Sequence, residues 1–69
     1  MSKMANLQIE IQEKVYEALM YGASSVQDIR AYVTNFVSPS LVTEDVILGI
    51  LGQEPNIETT TAGDVYVHH

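Results

Sequence analysis

The sequence predicts a mainly α domain that ends in a β-hairpin. Three observations carry this. Apolar residues recur at helical spacing in three successive segments, each bounded by a capping residue and a stop. From Ile57 the period falls from about 3.6 to about 2, in two β-branched runs around Ala62-Gly63. The chain has 69 residues, 46% of them hydrophobic, which is enough for one core and too little for two. Residues 1–69 therefore read as a single domain.

The first helix is expected from about Asn6, its cap, to about Tyr21. Leu7, Ile11, Val15, Ala18 and Leu19 fall on one arc of the wheel, Glu10 and Lys14 form an i,i+4 pair on its flank, and Gly22 supplies a left-handed stop. The second helix spans about 25–37. Ser25 and Asp28 stand as a short capping box, and Val26, Ile29, Val33, Phe36 and Val37 share one face. Ser38-Pro39 ends it, because the residue before proline is pushed out of the α region; alternatively Ser38 caps a new turn with Pro39 at its first position.

Thr43 caps a third helix, about 43–52, with Glu44 and Asp45 in its first turn, where acids complement the helix dipole. Val46, Ile47, Ile50 and Leu51 should point inward, and Gly52 and Pro55 close the helix. Gly49 weakens it by about 1 kcal/mol relative to Ala. The hairpin occupies about 57–68, with Gly63 at a positive-φ position. Val65 and Val67 face one side, Tyr66 and His68 the other. Tyr32 and Tyr66 read as half-buried packing residues.

Ser25…Asp28-Ile29, then Val42-Thr43-Glu44-Asp45-Val46…Ile50-Leu51…Ile57 and a glycine-containing hairpin resemble the winged helix-turn-helix superfamily from about Leu7 to Val67. The resemblance implies that the third helix reads the major groove of DNA while the hairpin wing touches its backbone. The residues do not fit that role. Helix three turns Glu44, Asp45, Leu48, Gly49 and Gly52 outward, with none of the Arg, Lys, Asn or Gln that usually read base edges. The hairpin adds Glu58 and Asp64. Nine acids against three bases give a formal charge of −6, opposed to phosphate contacts.

Binding to another protein is therefore the first expectation: a small regulatory accessory factor in transcription or nucleic-acid handling, of the kind phages and plasmids encode. A sequence-specific, dimeric DNA-binding regulator is the alternative, and a self-assembling subunit a third. Two surfaces are candidates for the partner. Ile9, Tyr16 and Met20, with Glu13 among them, form a second apolar stripe on the first helix, suited to a homodimer or a partner dock. On helix three, Leu48 beside Gly49 and Gly52 forms a small concave patch where another backbone can approach, flanked by Glu44 and Asp45.

Catalysis has little support. There is no Cys, no phosphate-binding glycine loop and no nucleophile triad. The histidines, His68 and His69, stand at the end of the chain, and with Glu58 they make only a sparse metal-ligand set. No cofactor, metal or enzymatic activity is expected. No apolar run nears the roughly 20 residues a membrane span needs, so no membrane association is expected and the protein is placed in the cytoplasm.

Overall fold

A computed structural model describes the backbone of residues 3–68 and the side chains of residues 7–68. Three helices, α1 (Lys3–Met20), α2 (Val26–Val33) and α3 (Glu44–Leu51), precede an antiparallel hairpin of β1 (Ile57–Thr59) and β2 (Val65–Val67). A 3₁₀ turn, Pro39–Leu41, lies between α2 and α3. The expected order of three helices and a hairpin is the observed one. None of the described helices is long and apolar enough to cross a membrane.

The helix ends show how local chemistry sets the elements. The expected cap at Asn6 is not one, because α1 already runs through Lys3 and encloses that residue. At its other end Gly22 takes φ +99°, Ala23 N–H donates to Ala18 O at 3.0 Å and Gly22 N–H to Leu19 O at 3.1 Å. This is the Schellman closure expected of a C-terminal glycine. Ser25 caps α2 by accepting from Asp28 N–H, and Thr43 caps α3 by accepting from Val46 N–H.

Helix α2 is shorter than its apolar pattern suggests. Thr34 Oγ1 and Asn35 Nδ2 both donate to Ala31 O, at 3.2 and 3.1 Å, offering that carbonyl side-chain partners at the helix end. The chain then tightens into a turn in which Phe36 N–H donates to Val33 O. Once the backbone leaves the helix, the periodicity that placed Phe36 inward no longer applies, and Phe36 is 51% exposed. Val37 remains buried. Pro39 then stands in the first turn of the 3₁₀ segment, with Ser38 at the cap position but bonding Ser40 Oγ instead of the backbone.

The core lies where the three helices meet. α1 contributes Ile11, Val15 and Ala18, α2 contributes Val26, Ile29 and Val33, and α3 contributes Ile47, Ile50 and Leu51. Val42 and Val65 close it from the connector and the hairpin. Val46 departs from the expectation: it is 37% exposed. The buried arc of α3 centres on Ile47, and Val46 stands about 90° from that centre at about 100° per residue.

The strands are shorter than the β-branched runs. Ile57 pairs with Val67, Glu58 with Tyr66 and Thr59 with Val65. Gly63, at φ +92°, sits in the reversal: its N–H donates to Thr60 O at 3.0 Å, and Thr60 N–H donates to Asp64 O at 3.0 Å. Only Val65 of the hairpin is fully inside; Tyr66 and Val67 are exposed, so Tyr66 is not the half-buried residue expected. The hairpin is tied to the helices by its outer edge. Val26 N–H donates to Gly63 O at 2.8 Å, Val65 N–H donates to Ser24 O at 2.9 Å, and Ser25 bridges Asp64.

Candidate protein-docking face

Helix α3 lies with its buried arc on α2 and the hairpin base, which leaves the opposite arc as a ridge facing outward. Glu44, Asp45, Leu48, Gly49 and Gly52 are all exposed on it. They do not form the single concave patch expected. Leu48 overlooks one groove and Gly49 another, with the ridge between them, and Gly52 borders neither.

The first groove, about 580 Å³, runs between the ridge and the hairpin reversal, with Glu44 and Leu48 on one wall and Thr59–Asp64 on the other. Its lining is mostly hydroxyl, amide and carboxylate. The second, about 620 Å³, runs between α3 and the N-terminal half of α1. Ile11 and Ile50 are its floor, Leu7, Leu41 and Val46 its walls, and Gln8, Asp45 and Gln53 its polar rim. Leu41 and Val46 give no sign of this role in the sequence. Leu41 becomes a wall because the Pro39 turn swings it beside α3, and Val46 because it sits at the edge of the buried arc.

The stripe predicted on α1 is split. Ile9, Glu13 and Met20 are exposed, Met20 by 84%. Tyr16 is not exposed with them: it packs against the core, and its Oη donates to Glu54 Oε1 at 2.7 Å. The segment after α3 covers this part of α1, which wheel geometry alone does not reveal. That hydrogen bond to Glu54, aided by burial, raises the Tyr16 pKa. Beside it Tyr16, Leu19, Met20, Ile57 and Val67 line a third depression of about 410 Å³.

The basic side chains described are committed to the fold. Arg30 Nε donates to Val42 O at 2.7 Å and a terminal guanidinium nitrogen donates to Pro39 O at 3.2 Å, which fixes the connector that aims α3. Lys14 does not pair with Glu10. It bonds Glu17 at 3.1 Å and lies 4.2 Å from the centre of the Phe36 ring, an exchange of a surface pair for an ion pair plus a cation–π contact. Tyr32 Oη donates to the same Glu17 carboxylate at 2.8 Å. This bond, with Lys14 second, holds Glu17 below its ordinary value, and the same bond, with burial second, pushes Tyr32 up to about 12.

Tyr21, Tyr32 and Phe36 form an aromatic ladder on the α1–α2 side, with ring centres 5.7 and 5.3 Å apart. At the end of the hairpin His68 Nε2 lies 3.2 Å from Glu58 Oε2, and both side chains are open to solvent. His69 lies outside the described residues. Among the described residues no three His, Cys, Asp or Glu side chains stand together as a metal site. Comparison with protein-family models, with curated proteins and with solved structures finds no match.

Proposed function

We propose that this is a winged helix-turn-helix domain that works by binding another protein and not by catalysis, as a cytoplasmic accessory factor in transcription or nucleic-acid handling. The order of three helices and a hairpin, with the hairpin edge bonded to the α1–α2 connector, supports the winged-helix reading. The observation that carries the functional reading is the composition of the α3 ridge. The helix that would enter a DNA groove presents two carboxylates, Leu48 and two glycines, while Lys14 and Arg30 are held in internal contacts. Phosphate binding needs free cations at this face. Protein recognition needs an apolar anchor beside polar rims, and Leu48 and the two flanking grooves supply them.

The alternative, a dimeric sequence-specific DNA-binding regulator, draws on the same element order and lacks the surface. A photo-cross-linking residue placed at Leu48 separates the two in cells, with the same residue at Ala31, exposed on α2, as control. Leu48 should give an adduct that survives nuclease and is lost to protease, and Ala31 should not. Adducts that nuclease removes would decide for the regulator.

A further inference from the structure

We propose that the groove between α1 and α3 takes a cationic amphipathic helix of a partner protein. The proposal rests on reading the exposed face of α3 as a docking surface and names the chemistry of what docks there.

Shape and composition come first. The groove has a continuous apolar floor and walls, Ile11 and Ile50 beneath Leu7, Leu41 and Val46. Leu41 is 47% and Val46 37% exposed, so both have apolar surface left to bury. α3 has 8 residues, about 12 Å at the usual helical rise. That length matches two turns of a docked helix with anchors at i, i+3 or i+4, and i+7. Gly49 is on the ridge beside this groove. It has no positive φ, and a Cβ placed on it would meet nothing within 4 Å. A side chain is thus compatible with the fold at this position, and its absence leaves room for a partner backbone to come close.

Charge then selects among occupants. Among the described residues Asp45 is the one charged side chain that lines the groove, and Glu44, its neighbour in the first turn of α3, faces the other groove. The whole chain carries −6. A second copy docked face to face here would set Asp45 of one chain near Asp45 of the other, between two chains of like net charge. A helix with Lys or Arg flanking its apolar stripe replaces that repulsion with attraction and gains in association rate as well.

The test uses the full chain and a labelled 14-residue helical peptide with Leu at i, i+3, i+7 and i+10 and Lys on its other face. Two comparison peptides are a Glu version and a scramble of equal composition without the stripe. The Lys peptide should bind at least about tenfold tighter than either. Gly49→Gln should weaken it at least about tenfold while the helical signal and melting temperature hold, and Asp45→Asn should weaken it a few-fold. Should Gly49→Gln fail to fold, Val46→Gln makes the same test one turn earlier on the α3 wall. Equal binding of stripe and scramble, or full binding to a folded groove-filling variant, would overturn the proposal. So would a parent chain whose own dimerisation is abolished by Gly49→Gln, which assigns the groove to a second copy. If the peptides fail while Leu48 still yields protease-sensitive adducts, the cationic helix is wrong and protein docking stands.

Discussion

Ile29 and Ile47 have no exposed surface, and both lie where α2 meets α3. Truncating either to Ala leaves a void that so small a core cannot easily collapse. Each change should cost about 2–5 kcal/mol by denaturant unfolding. Val46→Ala, at the exposed edge of the same helix, should cost less than about 1 kcal/mol. Equal losses at Val46 and Ile47 would contradict the observed facing of α3. A second set of residues makes stability depend on pH. Glu17 is held below its ordinary value of 4.5, so its contribution is present above 4.5 and is lost as pH falls through the lower folded value. Tyr32 is raised from 10.0 to about 12, so its contribution is complete below 10 and lost as pH rises through about 12. Glu17→Gln should therefore flatten the acid limb of stability against pH. Tyr32→Phe should remove the latest phase from the tyrosinate absorbance titration.

At the scale of elements, two glycines predict opposite responses to the same substitution. Gly22 closes α1 at φ +99°, where a Cβ is strained, so Gly22→Ala should lower stability by about 1 kcal/mol or more. Gly49 lies inside α3 without positive φ and with open space around it, so Gly49→Ala should raise stability by about 0.5–1 kcal/mol. Thermal unfolding of the two variants checks both signs. The pair also shows which parts of the fold were legible in the sequence. Ser25, Gly22, Thr43 and Gly63 act on backbone groups a few residues away, so their roles follow from local chemistry, and the elements they bound were found. Phe36, Val46 and Tyr16 are oriented by contacts between elements, and wheel geometry misplaced all three. The first helix extends past Asn6 for a related reason: a polar residue that can cap can also be passed through. The α3 face was legible as acids and small residues. Its division into two grooves was not, because Leu7, Leu41 and Val46 come together only when α1 and the Pro39 turn are packed.

The whole molecule is wider than the range of its own field in physiological salt. The radius of gyration is 11.5 Å, and the screening length in physiological salt is about 8 Å. Two copies in contact therefore feel chiefly the charges near their interface, and only a screened part of each other's −6. The α1 stripe that suggested a homodimer has also lost its central anchor, since Tyr16 is turned onto Glu54 and only Ile9 and Met20 remain outside with Glu13. The isolated chain should accordingly sediment as a monomer up to high micromolar concentration. Tyr16→Glu is a poor probe of the dimer, because it would set a carboxylate against Glu54 and disturb the fold. Met20→Glu, on a side chain open to solvent, is the cleaner variant. Salt distinguishes the remaining possibilities by sign. Self-association through apolar residues against like charge strengthens as salt is added. Duplex binding weakens steeply, in proportion to the phosphates neutralised. No change in sedimentation is expected when duplex DNA is added at physiological salt. A complex that forms there and dissolves as salt rises would show that the chain's few cations reach phosphate, and the accessory-factor reading would give way to the regulator.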